Sequence, residues 1–189
     1  GIINNKISSI VFEMLEKKGV ETHYIKNISD REMLVKKVEI LPLEVIVRNI
    51  SAGSMCKRLG LEEGIQFEEP VFELCYKNDE YGDPLINDDH AIAMKLATKE
   101  EIDYIKQQTF KINNVMKKFF KDMSLKLVDF KLEFGKTSDG KIILADEVSP
   151  DTCRLWDSNT NEKYDKDRFR RDLGNVIEGY KEVLTRMGC

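Results

Sequence analysis

Residues 125–134 of this 189-residue chain read Leu-Lys-Leu-Val-Asp-Phe-Lys-Leu-Glu-Phe, and their alternation leaves little freedom in how they fold. In a strand successive side chains point to opposite faces. Val128, Phe130, Leu132 and Phe134 therefore share one face, and Asp129, Lys131 and Glu133 share the other. The first is a core face; the second is a row of alternating charge. Asp139-Gly140, shortly afterwards, has the composition of a two-residue type I′ hairpin turn, in which Gly accepts positive φ. With those residues at the turn centre, Ser138 pairs with Lys141, and Glu133 is expected opposite Asp146. Opposed residues point the same way, with Cβ atoms roughly 5 Å apart. Two acids so placed ask for a cation, and a hard divalent ion such as Mg²⁺, which uses one or two carboxylates plus phosphates, fits. The alternative is a solvated strand face on which Lys131 screens two acids. A one-residue slip in register would turn Asp146 to the other face.

The rest of the chain mixes helical and extended patterns. Ile3, Ile7, Ile10, Val11, Met14 and Leu15 predict a helix over 4–18, stopped by Gly19. Short extended segments follow at 22–26, 32–38 and 43–50, with Pro42 in a connection. A short helix is expected over 52–59, a strand over 71–77, an acidic turn-rich stretch over 78–89 and a long helix over 99–121. After the hairpin, 149–160 reads as a loop and 166–187 as a final helix. This order points to an α+β fold rather than an alternating βα one.

Composition narrows the function. Hydrophobic residues make up 41% and charged residues 34%, a globular mix and not a disordered one. The net charge of -4 argues against a broad nucleic-acid or membrane-surface footprint. No apolar run approaches a membrane span, and no secretory signal is expected at the start. Cys56, Cys75, Cys153 and Cys189 have no metal-like spacing and read as free thiols, so a cytoplasmic location is expected.

Several other groups could hold anions. Arg48 ends an alternating strand; it either pairs with Glu44, four residues back on the same face, or binds an anion beside Ser54, where a helix start offers free N–H groups or Ser54 simply caps it. Arg154 follows the acidic strand and can grip an anionic group in a bidentate way, or pair with Asp151 or Asp157. Lys166 and Arg170 are i,i+4 neighbours in a charge run, able to share one phosphate or to sit solvated. His23 and His90 fall in no ligand or triad spacing, and no Walker-type loop occurs.

Taken together, the runs at 34–37, 41–49, 52–54, 128–135, 145–151, 154–157 and 165–170 resemble the SAICAR synthetases of de novo purine synthesis, in order and spacing over nearly the whole chain. The resemblance implies an ATP-dependent ligase that joins the carboxylate of 5-amino-4-carboxyimidazole ribonucleotide to the amino group of L-aspartate. ATP is cleaved to ADP and phosphate through an acyl phosphate. It implies a two-lobed, kinase-like or ATP-grasp-like α+β architecture of antiparallel sheets and flanking helices, with residues 1–41 in an ATP-covering lobe and 42–189 in a substrate- and metal-binding lobe. Glu133 and Asp146 resemble the metal-associated carboxylates. Lys131 and Asp129 resemble the catalytic strand residues. Glu39, Ile40 and Leu41 resemble the hinge that meets adenine, with Lys36 reaching toward ATP. Arg48, Ser54, Asp151, Arg154, Lys166 and Arg170 resemble the substrate-binding set.

ATP and Mg²⁺ are the expected cofactors. The expected partners are the small-molecule substrates, with no nucleic acid and no membrane, and a homodimer is compatible with the chain. The family carries some tens of residues ahead of Asn4-Asn5 that cover ATP, so the first lobe is expected to be incomplete and a chain starting at Gly1 to bind ATP poorly. Cys153 departs from the small or hydroxyl residues usual at its place. The rival readings are an ATP-dependent phosphotransferase on a small phosphorylated metabolite and a non-catalytic nucleotide-binding module.

Overall fold

The computed structural model describes residues 1–189. In chain order the elements are α1 (Ile2–Lys17), β1 (Tyr24–Asn27), β2 (Met33–Val35), β3 (Glu39–Ile40), β4 (Leu43–Ile50), α2 (Ser54–Leu59), β5 (Gln66–Tyr76), β6 (Leu85–Ile86), α3 (Asp88–Ala93), α4 (Lys99–Lys121), β7 (Leu125–Lys136), β8 (Ile142–Ala145), β9 (Cys153–Asp157), α5 (Asp167–Arg170) and α6 (Val176–Arg186). The result is an α+β fold in which every pairing between named strands is antiparallel, as expected.

The twelve residues of β7 make it the spine. Along one edge it pairs with β4 and then β3; along the other with β9 and then β8. β5 and β6 extend the sheet beyond β4. Its core face follows the alternation from Phe130 onward: Phe130, Leu132 and Phe134 are all at most 2% exposed and share one core, whereas Val128, at a register shift in the pairing with β9, is buried in a separate cluster with Ile50, Ala52 and Trp156. One apolar core joins Phe130 and Leu132 to Val45 and Val47 of β4, to Ile105, Ile112 and Met116 of α4, and to Ile7, Val11, Phe12 and Leu15 of α1. Full burial of such side chains contributes about 1.5–3 kcal/mol each, which is what holds α1 and α4 on the sheet. α4 starts where Thr98 and Glu101 form a reciprocal capping box. No helix is long and apolar enough to cross a membrane.

Four expectations need correction. The hairpin turn is one residue longer than Asp139-Gly140 suggested. Thr137 N donates to Lys141 O at 2.8 Å across a three-residue loop, and Gly140 takes φ +85°. The Thr137 hydroxyl bonds the Asp139 carboxylate, and this contact favours the longer loop. Glu133 therefore opposes Ala145, not Asp146; β8 ends there and Asp146 leaves it in a left-handed conformation, φ +59°.

Residues 153–157, expected as loop, form β9 along β7. Strong turn residues on both sides of these five hid the strand. The final helix is broken: Asp172, Gly174 and Asn175 all have positive φ, so α5 and α6 are separate. Lastly, the acidic stretch ends in α3, which Asn87 caps by accepting from His90 N at 2.9 Å.

Candidate active site

The charged face of β7 meets the matching faces of its neighbours. Cross-strand register places Arg48 opposite Asp129 and Ile46 opposite Lys131; across β4 it places Glu44 opposite Cys75 and Ile46 opposite Glu73. On the other edge Arg154 faces Asp129. The row is thus neither solvated nor self-screened, because each member is claimed by a residue from another element.

Asp129, 4% exposed, accepts from Arg48 Nη1 at 3.0 Å and from Arg154 Nη1 at 2.8 Å, both on Oδ2. Burial pushes its carboxyl up, against the pull of the two guanidiniums. Arg48 also donates to Glu73 at 2.8 Å, and Arg154 to Asp167 at 2.7 Å. The partners considered from sequence, Glu44 for Arg48 and Asp151 or Asp157 for Arg154, are thus replaced. Glu44 instead takes the Lys131 ammonium at 2.6 Å. Burial pulls Lys131 down, but Glu44, helped by Glu133 and Asp146, outweighs it and holds the pKa above the usual lysine value. Lys131 is therefore a fixed cation at neutral pH and not a base. Glu133, 4% exposed, binds Lys77 at 2.5 Å.

Eight of the expected residues line one cleft of about 280 Å³: Arg48, Ser54, Asp129, Lys131, Asp151, Arg154, Lys166 and Arg170. Glu39, Ile40 and Leu41 line a larger cavity of about 760 Å³ between the β3–β4 connection and the start of α4, with Ile92, Leu96 and Lys136. β7 connects the two: Ile40 pairs with Gly135, and Asp129 and Lys131 open into the cleft, with Glu133 between. At about 3.4 Å per residue, Gly135 and Asp129 lie about 20 Å apart along the strand.

Asp146 lies outside both cavities but is close enough to raise the pKa of Lys77 and of Lys131. Lys36 also lies outside both and donates to Thr22 O at 3.2 Å. Cys153 is buried, and burial pushes its thiol far up, so it is an inert filler of the cleft floor.

Sequence reasoning missed Glu73, Lys77 and Asp167 as members of the network. The run Phe72–Lys77 alternates, which puts Glu73, Cys75 and Lys77 on one face, so that signal was readable. Asp167 was hidden inside a charge run; it is 2% exposed and holds Arg154 and Arg170 together.

Gly53 explains how Arg154 fits. Its φ is +62°, and a Cβ there would stand 2.3 Å from Arg154 Nη2. Gly53→Ala is expected to cost about 1–2 kcal/mol from left-handed strain and to push the guanidinium out of the cleft. Loss of a charge-assisted contact should weaken a phosphorylated ligand about tenfold. Calorimetric titration checks this, and unchanged affinity would remove Arg154 from the binding wall.

A family model described as SAICAR synthetase matches residues 1–187. A phosphoribosylaminoimidazole-succinocarboxamide synthase of Caldanaerobacter subterraneus subsp. tengcongensis is 64% identical over 99% of this chain and 79% of its own length. The crystal structure of phosphoribosylaminoimidazole-succinocarboxamide synthase from Ehrlichia chaffeensis superimposes with a TM-score of 0.97 at 48% identity, covering 100% of this chain and 81% of that one. A SAICAR synthetase solved in complex with ADP gives a TM-score of 0.95 at 47% identity, over 97% of this chain and 78% of that one.

Proposed function

The chain belongs to the SAICAR synthetase family, and from that premise we propose how its own residues carry the reaction. It is an ATP-dependent carbon–nitrogen ligase of de novo purine biosynthesis, joining the carboxylate of 5-amino-4-carboxyimidazole ribonucleotide to the amino group of L-aspartate. The observation that carries the residue assignments is β7 itself, a rigid track from one cavity to the other with Glu133 and Lys131 along it.

In this reading adenine enters the cavity at Glu39, Ile40 and Leu41, and the triphosphate runs along β7 toward Lys131. Residues 1–41 belong, in the same reading, to the ATP-covering lobe, and Lys36 turns from the Thr22 carbonyl toward the phosphates. Residues 42–189 form the substrate lobe. Arg48, Ser54, Arg154, Lys166 and Arg170 hold the ribonucleotide, a cationic set suited to a phosphate monoester. Asp129, expected from the resemblance as a catalytic strand residue, is held between two arginines and in this reading positions them at the cleft wall.

A carboxylate oxygen of the imidazole attacks the γ-phosphorus. An O–P bond forms and the bond to the β-phosphate oxygen breaks, releasing ADP. The amine nitrogen of L-aspartate then attacks the acyl carbon. A C–N bond forms, the C–O bond to phosphate breaks, and the nitrogen gives up its surplus protons. Lys131, kept protonated by Glu44, offsets charge on the phosphoryl group in flight.

Glu133 is the carboxylate this reading gives to a hard cation; Asp146, no longer opposite it, is near enough to act on the same Lys77 and Lys131. The buried Glu133 carboxylate is faced by an ammonium, that of Lys77, whose side chain is 41% exposed and free to swing out. Held there, Mg²⁺ would neutralise phosphate charge and fix the triphosphate for transfer.

A cytoplasmic location belongs to the same reading, in keeping with an enzyme of purine biosynthesis. A homodimer belongs to the same reading; exposed Ile25, Ile28 and Leu34 around the β1–β2 hairpin are the apolar surface it would bury. The test supplies ribonucleotide, ATP and Mg²⁺, then L-aspartate, and follows ADP and product. Product formation that requires L-aspartate is expected. ADP release indifferent to L-aspartate would instead favour a phosphotransferase.

A further inference from the structure

Asn49 and Asn113 break the local rules of their elements. Asn49 continues the core face of β4 after Val45 and Val47, and Asn113 lies on the buried face of α4 with Ile112 and Met116. Asn suits neither a strand interior nor a helix interior, and its amide is costly to bury unless it is hydrogen-bonded. The two residues are 6% and 1% exposed. They satisfy each other: Asn49 Nδ2 donates to Asn113 Oδ1 at 2.8 Å, and Asn113 Nδ2 donates to Asn49 Oδ1 at 2.9 Å. Asn49 Nδ2 also donates to Leu127 O at 3.2 Å. A core that sets aside local preference in this way points to a role beyond packing.

The pair sits where the β4–β7 ladder ends. The last residues matched across it are Arg48 and Asp129, and both line the ribonucleotide cleft. Beyond them the two strands are irregular at the same level. The β4–β5 register shifts between Arg48 and Ile50, at Asn49, and the β7–β9 register shifts between Leu127 and Asp129, at Val128. Bulges of this kind re-aim the side chains beside them. Asn49 donates across the break to the carbonyl that precedes Val128, and Asn113 ties that bond to a 23-residue helix. A one-residue slip there would send Arg48 from the cleft face to the core face.

We propose that Asn49 and Asn113 are positioning residues for the ribonucleotide: their amide pair fixes both irregularities and so aims Arg48 into the cleft. The claim rests on the ligase reading above, in which Arg48 holds the ribonucleotide. Neither amide lines the cleft, so the effect passes through Arg48. Glu73 and Asp129 hold its guanidinium, but those bonds fix the tip of the side chain. The amide pair fixes the backbone that carries it.

The test is calorimetric titration of 5-amino-4-carboxyimidazole ribonucleotide beside a thermal melt and steady-state kinetics. Asn113→Ala leaves the Asn49 amide short of a partner and should melt about 5 °C lower. It should also bind the ribonucleotide about tenfold more weakly, the loss of one charge-assisted contact. The KM for the ribonucleotide should rise as much, with kcat and the KM for ATP unchanged. Met116→Ala, one turn further along α4, should melt lower too, yet bind the ribonucleotide as the wild type does. The double variant Asn49→Leu/Asn113→Leu separates aim from stability. Apolar groups of similar shape in place of both partners should bring the melt back near the wild type, but they remove the bond to Leu127 O, so affinity should stay about tenfold low. A double variant that regains affinity along with stability would overturn the proposal and leave the pair as packing alone. So would equal ribonucleotide losses in Asn113→Ala and Met116→Ala, a comparison that stands even where the double variant fails to fold. A wild-type chain that binds no ribonucleotide would instead overturn the ligase reading, and this inference with it.

Discussion

Asp129→Ala is expected to destabilise the protein by about 3 kcal/mol, the lower end of the range for removing one member of a buried ion pair. The Arg48 and Arg154 side chains are only 4% and 17% exposed, and both bind the same Asp129 oxygen. Without it two largely buried guanidiniums face each other. The cost stays near the lower end because each arginine keeps a second acid, Glu73 for Arg48 and Asp167 for Arg154. Asp129→Asn, which keeps an oxygen acceptor, should lose less. Urea denaturation measures both, and an unchanged midpoint for Asp129→Ala would show that the carboxylate does not hold the arginines. Ribonucleotide affinity should fall with stability, since Arg48 and Arg154 lose the position that aims them into the cleft.

Glu133→Gln is expected to do the opposite: turnover falls by about 10²–10³, the usual cost of removing one preorganised electrostatic group, while the fold hardly changes. The amide oxygen still accepts from Lys77, and Lys77 is exposed enough to turn to water, so the stability loss should be about 1 kcal/mol or less. Steady-state kinetics beside a thermal melt separates the two effects. A variant that turns over at the wild-type rate would end the assignment of Glu133 to the cation. Adding Mg²⁺ should raise the melting temperature of the nucleotide-loaded wild type more than that of the variant.

The two faces of β7 were legible from Asp129 to Phe134 because alternation is a local property; the register shift before Asp129, which sends Val128 to another cluster, was not. β4 and α4 were legible too; their observed bounds, Leu43–Ile50 and Lys99–Lys121, match the expected ones. What local pattern could not supply was the partner of each charge. Arg48 and Asp129 are 81 residues apart in sequence, and Lys131 and Glu44 are 87 apart. Nothing near Arg48 announces either Asp129 or Glu73, whereas Glu44 lies only four residues away on the same strand face and is the wrong partner. The hairpin failed for a related reason. Asp139-Gly140 suits a two-residue turn, and only the side-chain bond between Thr137 and Asp139 tips it to three, moving Asp146 out of register. β9 was missed because five residues between strong turn signals carry too little pattern; its place beside β7 brings Arg154 to Asp129.

The way β7 is enclosed bears on when function appears during folding. Its partners come from both sides in sequence, β3 and β4 before it and β8 and β9 after it. The local β7–β8 hairpin contains only Glu133 of the site, and closing the distant pairings with β3 and β4 is the slow part of such a topology. The amides of β7 should accordingly exchange with solvent only through global opening, at the protection limit of the whole molecule. Competence to bind and resistance to unfolding would then arrive in one cooperative step, so that a partly folded chain offers no half-built site to its ligands.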